Sequence, residues 1–354
     1  MIYGVISDTH CHNWSTFSEV GDDYVNNRLQ IILDEILRAA TEVKKKGGKY
    51  LIHTGDLFHV RGNVSPSVLN PTIETFKKIV DMGINPIIIC GNHDAEFRVT
   101  NDVGSAVNAM KSIGCAVYNE PTMICTPHES NENWLFIPWQ PDTSEFLKAF
   151  KELTEKSARP TTLFCHVALD GVFSRLSPNI IINHKELFSS FPKLKMIFAG
   201  HLHDHKKIDE NCYSVGAIAQ HGWGESKSKA GFLIVDSDAN KVTFRASRAP
   251  RFVELTPEMD MEDIPGLVEG NYVRATLEMN EAEIKDYRKL LEDYGAAGVS
   301  IIAKPKPITR SDSIKVDTAK PLNTAVSDFI DAKYKASPIK DAIKAEAERI
   351  MSEI

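Results

Sequence analysis

The chain has 354 residues, 42% of them hydrophobic and 25% charged, with a formal net charge of −7. That length accommodates about two domains, one of them large enough for a substantial core, and the acidic balance argues against a general polyanion binder that relies on Lys and Arg alone. No run of about 18 apolar residues exists, which leaves no candidate membrane helix or signal peptide and points to a soluble cytoplasmic protein.

In chain order, an apolar run from Ile2 to Ile6 reads as a strand and is followed by Asp8 and His10. A polar stretch from Trp14 to Asn27 leads to Leu29, Ile32, Leu33, Ile36, Leu37 and Ala40 at helical spacing. Lys44 to Lys46 and the glycines Gly47 and Gly48 close this helix with cations and a glycine cap. Tyr50 to His53 is the next strand and ends in Gly55-Asp56, so a right-handed βαβ unit opens the chain. Leu57 to Leu69 reads as a loop containing His59, and Phe76, Ile79, Val80 and Met82 mark a second helix. The β-branched run after Ile84 stops at Gly91, which permits a sharp turn into Asn92, His93 and Asp94. Taken alone, that tetrapeptide is equally an Asx-rich turn.

Ala106 to Glu145 reads as further strands and turns, with Trp134, Phe136 and Trp139 as core or rim packing, before a helix over Phe146 to Leu153. Thr162 to Cys165 ends at His166, and Met196 to Ala199 ends at Gly200-His201-Leu202-His203. Tyr213 to Ala217, Gly231 to Val235 and Lys241 to Arg245 read as antiparallel strands; His221 and Glu225 lie in the Gly-rich loop between, as substrate contacts rather than metal ligands. Lys241, Arg245, Arg248 and Arg251 make a locally basic segment, either a solvated strand edge or a strip facing DNA. A boundary falls near Arg251 to Pro265. Beyond it come a strand (Tyr272 to Leu277), a helix (Glu281 to Tyr294) and another strand (Val299 to Ala303). A polar linker over 309 to 320 precedes two amphipathic helices, Leu322 to Tyr334 and Ile339 to Ile354, which bury little surface alone and need a partner. The six cysteines form no C-x-x-C pair, consistent with a reducing compartment.

Five apolar runs thus end in Asp, His or Asn, always on the C-terminal side, where the crevice of a parallel sheet binds ligands. The candidate donors are Asp8, His10, Asp56, Asn92, His166, His201 and His203. They are too many for one tetrahedral zinc and suit two divalent ions sharing a carboxylate, with Mn, Fe, Zn or Mg favoured by oxygen and imidazole ligands. Two such ions clamp the oxygens of a phosphodiester, so the chemistry indicated is phosphoester hydrolysis.

Asp8-x-His10, Gly55-Asp56, Gly91-Asn92-His93-Asp94, His166 and Gly200-His201-x-His203, in that order, resemble the motif set of the calcineurin-like metallophosphoesterases. Gly55-Asp56-Leu57-Phe58-His59 and the C-terminal region further resemble the SbcD-type nuclease subunit of the SbcC/SbcD and MRN repair complexes. The resemblance implies an α/β fold: a four-layer αββα sandwich over residues 1–250, its second sheet completed by the strands Tyr213 to Ala217, Gly231 to Val235 and Lys241 to Arg245, a small α+β capping domain over 251–308 that helps hold DNA, and a linker with C-terminal helices over 309–354. Those helices would bind an SbcC-type coiled-coil ATPase, and a homodimer is implied.

On this resemblance Asp8, His10, Asp56 and His203 hold one ion, with Asp56, Asn92, His166 and His201 on the other; manganese is the first choice of metal. Asp56 bridges because a carboxylate has two oxygens to share. His93 stays outside the ligand set and stabilises the phosphorane or protonates the leaving oxygen, Asp94 holds the His93 ring, and His59 contacts DNA or phosphate. The expected function is that of a DNA exonuclease and endonuclease subunit in end processing and recombination repair. A small-molecule phosphodiesterase or phosphatase is the alternative, although the protein-phosphatase pattern Gly-Asp-x-Val-Asp-Arg-Gly is not present. A non-catalytic scaffold on the same fold ranks last, because the ligands are retained.

Overall fold

Alternation along the first strand, β1 (Ile2–Ile6), settles how the chain is layered. Successive side chains of a strand leave on opposite faces, so Tyr3 and Val5 join one buried cluster and Ile6 another. The computed structural model describes residues 1–96, 104–126, 131–172, 180–256, 258–277, 281–303, 320–335 and 337–352.

After β1 come α1 (Asn27–Lys45), β2 (Tyr50–His53), α2 (Pro66–Asp81), β3 (Asn85–Ile89) and β4 (Ala116–Tyr118). The four strands pair in parallel, with Tyr3 opposite Tyr50 and Tyr50 opposite Asn85. The Asn26 side chain starts α1 by accepting from the amides of Arg28 and Leu29, which have no partner within the helix. The second helix begins earlier than its apolar spacing suggests, inside the expected loop, because Pro66 is preset for a first helical position. Ala106–Ile113, read from sequence within a stretch of strands and turns, is a 3-10 helix capped by the Ser105 hydroxyl and ended by Gly114 at φ +92°.

The second half supplies β5 (Thr122–Cys125), β6 (Asn133–Ile137), α3 (Thr143–Thr154), β7 (Thr161–His166), the short ribbon of β8 (Ala168–Leu169) and β9 (Ile181–Ile182), α4 (His184–Ser190), β10 (Leu194–Gly200), β11 (Lys206–Asp209) and β12 (Cys212–Ser214). Two strands follow, β13 (Gly231–Asp236) and β14 (Lys241–Ala246). The described residues form two six-stranded sheets, ordered β14-β13-β1-β2-β3-β4 and β11-β12-β10-β7-β6-β5. The sequence reading places β13 and β14 in the second sheet; they belong to the first. On the second sheet the edge beside β10 is already taken by β12 and β11, whereas β1 offers an open edge that β13 fills, Ile2 opposite Asp236.

The layers are α1 and α2, the first sheet, the second sheet, then α3 and α4. Between the sheets lie Tyr3, Val5, Ile52, Ile87, Ile89, Leu233 and Val235 from one side and Trp134, Phe136, Phe164, Met196 and Phe198 from the other. An aromatic ladder runs across this interior: Tyr118, Phe136, Phe164, Phe198 and Tyr213 stack in succession with centroids 4.9, 5.3, 5.5 and 5.5 Å apart. One cation of the basic strand β14 is taken up by an acid of α1. Arg245 pairs with Glu42 at 3.1 Å, and Arg38, itself gripping Glu35, donates to the Ala246 carbonyl. Lys241, Arg248 and Arg251 are exposed.

Downstream, β15 (Phe252–Leu255), α5 (Ile264–Val268), β16 (Tyr272–Leu277), α6 (Glu281–Asp293) and β17 (Gly298–Ala303) build a small three-stranded sheet with its own core, Leu255, Ile264, Val268, Val273, Ala275, Leu291 and Val299. Sequence periodicity reveals only its last two strands and α6. Residues 1–302 form one compact unit and 303–354 a second. In the latter, α7 (Leu322–Lys333) and α8 (Lys340–Ser352) are joined by Asp331, which pairs with Lys340 at 2.8 Å and Lys344 at 2.9 Å. The expected linker over 309–320 lies outside the described residues except for Lys320. Among the described residues no helix is long and apolar enough to cross a membrane.

Phe164, fully buried at the middle of the ladder, is the point at which to test this core. Phe164→Ala is expected to lower unfolding free energy by about 3–5 kcal/mol, read from urea denaturation followed by tryptophan fluorescence.

Candidate metal centre

Every candidate donor leaves the carboxyl end of a parallel strand. Asp8 and His10 follow β1, Asp56 follows β2, Asn92 follows β3, His166 closes β7, and His201 and His203 follow β10. Parallel pairing continues past the strands, since Asp8 N–H donates to the Gly55 carbonyl at 3.0 Å and His10 N–H to Asp56 at 3.0 Å. The two loops are thereby held side by side. The structure brings all seven donors into one cluster spanning the C-terminal edges of both sheets, five of them buried and His201 and His203 partly so.

Asp56 is at its centre. Its Oδ1 accepts the His93 amide at 2.7 Å, while Oδ2 lies 3.6 Å from His10 Nε2 and 3.4 Å from His166 Nε2. Oδ1 thus accepts from the backbone, while Oδ2 faces an imidazole on either side. On one flank, His10 Nε2 and His203 Nε2 stand 3.1 Å apart, with Asp8 Oδ1 3.9 Å from His203 Nε2. On the other, Asn92 Oδ1 lies 3.0 Å from His166 Nε2 and 2.8 Å from His201 Nδ1.

Close approach fixes two glycines. A Cβ on Gly55, whose φ is +103°, would sit 2.3 Å from His166 Nδ1, and one on Gly91 would sit 2.2 Å from Asp56 Oδ1. No side chain larger than hydrogen fits either place.

Surrounding groups orient the donors. His166 Nδ1–H donates to the Thr54 carbonyl at 2.8 Å, which turns Nε2 inward. His203 Nδ1–H donates to Glu225 at 2.6 Å, and Glu225 also accepts the His221 amide at 2.8 Å. His221 in turn donates through Nε2 to the Asp8 carbonyl at 2.9 Å. The sequence reading takes His221 and Glu225 as substrate contacts; in the structure they brace His203 and Asp8 from behind. His53 escaped sequence analysis altogether. Its Nδ1 accepts the Gly55 amide at 3.1 Å and its Nε2–H donates to Thr9 Oγ1 at 2.9 Å, tying the loops after β1 and β2 together. The signal was there in principle, since His53 is the one polar residue in a strand buried on both faces.

Asp94 is also corrected. Its carboxylate accepts the amides of Leu57 (3.2 Å), Phe58 (2.9 Å) and Gly91 (2.9 Å), and so clamps the backbone after β2 to that after β3. It is not the partner of the His93 ring, whose Nδ1–H donates to the His59 carbonyl at 2.7 Å. A buried carboxylate with three amides at hand spends its lone pairs on them. The His59 ring stacks on His93 at 5.3 Å, and its Nδ1 lies 3.3 Å from His10 Nδ1.

Electrostatics divide the imidazoles into two kinds. Burial pushes His10 well below its ordinary value and His201 down to about 3, so both are neutral. His166 and His203 are also opposed by burial, but Asp56 lifts the first and Glu225 the second, each to about 9. Burial works to raise Asp56 too, yet His166, His10 and His93 hold it well below the carboxylate range. Asp94 is raised to about 7 by burial and by the charge of Asp56.

The donor set fits two divalent cations. Asp8, His10 and His203 offer atoms within 4.8 Å of one another, as do Asp8, Asp56 and His166, and two ring nitrogens 3.1 Å apart match neighbouring ligands at about 2.0–2.1 Å from one ion. Asp8, His10, Asp56 and His203 would hold one ion, with Asp56, Asn92, His166 and His201 on the other.

Two outcomes are expected. Asp56→Ala removes both ions, and Glu225→Gln weakens binding by about 10–100-fold, measured by calorimetric titration. Because His166 and His203 carry protons up to about pH 9 and a ligand must be deprotonated, apparent affinity rises as pH climbs from 7 to 9 and protons are released on binding. Flat affinity over that range contradicts the assignment of these two rings.

The chain is similar to known proteins. Exonuclease subunit 1 of Enterobacteria phage T4 is 24% identical over 246 residues, covering 66% of this chain and 65% of the phage protein, so the match spans just under two thirds of that relative's length. A dimetal phosphatase from Danio rerio superposes with a TM-score of 0.41 at 10% identity, over 66% of this chain and 91% of its own. Residues 1–205, well over half of the chain and the whole span from Asp8 to His203, match the calcineurin-like phosphoesterase family model, and the chain belongs to that family.

Proposed function

We propose that this protein is a manganese-dependent DNA exonuclease and endonuclease, the nuclease subunit of an SbcC/SbcD-like complex. The observation that carries the reading is the similarity to the phage exonuclease subunit, 24% identical over 246 aligned residues that cover 66% of this chain. The donor set supports it, since divalent ions at Asp8, His10, Asp56, Asn92, His166, His201 and His203 would supply Lewis acidity and charge for attack on a phosphodiester.

The chain's own residues supply proton handling and position. His93 is not needed as a ligand; its Nδ1–H is anchored on the His59 carbonyl, which leaves Nε2 as the nitrogen that can give a proton to the leaving sugar oxygen as the P–O bond breaks. Asp94 supports this indirectly, by fixing the backbone on which His93 and His59 are mounted. His59, half buried against His10 and His93, stands where it can touch a phosphate oxygen.

The C-terminal unit supports the partner assignment. The helices α7 and α8 carry Leu322, Ile339 and Ile350 exposed at 72%, 59% and 48% around them, apolar surface suited to a coiled-coil ATPase. DNA is the substrate, a homodimer the assembly and the cytoplasm the location; all six cysteines are free thiols, as a reducing compartment allows.

His93→Gln is expected to keep both ions and lose manganese-dependent digestion of linear and hairpin DNA by about 10²–10⁴-fold; loss of metal content instead would make His93 a ligand. Removing residues 320–354 is expected to spare hydrolysis of a small diester while ending association with the ATPase. Failure of the full chain to cut any DNA while it hydrolyses small diesters overturns the nuclease assignment in favour of a small-molecule phosphodiesterase.

A further inference from the structure

Beside the metal centre, and sharing none of its donors, lies a cavity of about 170 Å³. Its floor is apolar and buried, made of Cys11, Phe58 and Val68. Its rim is mixed, with His12, Asn63 and Ser65, whose hydroxyl lies 3.2 Å from that of Ser67, alongside Val60 and Val64. The floor continues the backbone that sets the donors, since Cys11 N–H donates to the Leu57 carbonyl at 2.8 Å just beyond the pairing of His10 with Asp56.

The position of the cavity is what gives it meaning. The His12 ring is 5.0 Å from that of His59, and His59 Nδ1 is 3.3 Å from the ligand His10. One imidazole therefore separates the cavity from the place where a phosphate would be cleaved, a separation of the order that a sugar imposes between phosphate and base. Trp14 continues the row of rings, 5.4 Å from His12 and 4.6 Å from His59. Asn63 is exposed, and among the described residues its amide makes no hydrogen bond, so both its donors and its acceptor are available.

We propose that this cavity is a base subsite, receiving one unstacked nucleobase of the strand being cut. A flat heterocycle has the required character, with apolar faces for Phe58, Val68 and the His12 ring and a polar edge for the Asn63 amide and the Ser65 hydroxyl. A lipid chain would leave the Asn63 amide without a partner, and a phosphate would find no Lys or Arg among the lining residues. The proposal rests on the phosphodiesterase reading of the neighbouring centre and deepens it, because it names the part of the substrate held beside the scissile bond. The energy of holding the base offsets its unstacking and fixes the phosphate over the ions.

The test compares thymidine 5′-(p-nitrophenyl phosphate) with methyl p-nitrophenyl phosphate, both with manganese. Val64, at the cavity wall, is replaced in Val64→Phe to fill the space; Asn63→Ala removes only the exposed amide and protects the experiment should the larger side chain disturb folding. In both variants the ratio of kcat/KM for the nucleoside ester to that for the methyl ester is expected to fall, by about tenfold or more in Val64→Phe. An unchanged ratio in both variants overturns the subsite. Digestion of linear DNA by the unaltered protein, run alongside, separates the two claims: DNA cleavage with an unchanged ester ratio sinks the subsite alone, and ester hydrolysis without DNA cleavage sinks the nuclease reading alone.

Discussion

Asp56 Oδ2 has to serve imidazoles on two sides from a position with almost no access to water, and the rest of the molecule follows from that requirement. A buried carboxylate is tolerable only when opposite charge or donors surround it. Here His10 arrives from one sheet and His166 from the other, so the charge is satisfied only where the carboxyl ends of the two sheets meet. The layered sandwich is what makes the meeting possible. Rings packed edge-on across the two sheets, Tyr3 of the first against Trp134, Phe164 and Phe198 of the second, hold the sheets face to face, and with them the gap across which Asp56 works.

The backbone is strained to achieve this. Asp8, His10, Asp56 and His201 have φ of +47°, +42°, +58° and +91°, a region that residues other than glycine rarely occupy and that costs about 1–3 kcal/mol each. Glycine would relieve the strain but could not supply a donor atom. The strain persists because hydrogen bonds hold these residues: the Asp8 and His10 amides donate to the carbonyls of Gly55 and Asp56 in the neighbouring loop, and the His201 amide to both oxygens of Asp8. His53 and Asp94 belong to the same scheme. Neither reaches the donors directly, and both secure the loops that do.

The fold was legible in sequence because strands buried on two faces are continuous apolar runs, and Asp, His or Asn at their carboxyl ends marks a crevice. Asp8, His10, Asp56, Asn92, His166, His201 and His203 were found by that rule, and they converge. Partners across the chain were not legible. Nothing near Asp94 in sequence indicates that its carboxylate turns away from the adjacent His93 toward three amides, two of them 36 and 37 residues distant. Nor does local pattern show which sheet β13 joins, since that depends on which edge is already filled. Glu225 was seen but misread. Its link to His203 spans 22 residues that include β11 and β12, and no local periodicity shows it.

The brace behind the centre does not stop at His221. Arg28, at the start of α1, donates to the His221 carbonyl at 2.9 Å, and its guanidinium lies 5.4 Å from Trp14, 5.1 Å from Phe252 and 5.4 Å from Tyr272. The last two rings belong to strands of the small downstream sheet. Burial lowers the Arg28 pKa, with Tyr272 and Glu225 opposing the shift, so a cation sits among rings where cation–π attraction is less screened by water. Tyr272 is also stacked on Phe17 at 5.2 Å, and Phe252 N–H donates to Gln220. A continuous set of contacts thus runs from that sheet through Arg28 and His221 to the Asp8 carbonyl. The loop after β12, which carries His221 and Glu225, is pinned between the sheet and the centre, and its geometry answers to both. Displacing the sheet would disturb the hydrogen bonds behind Asp8 and His203 before it reached any donor atom, so the packing of this sheet is part of what positions the metal ligands.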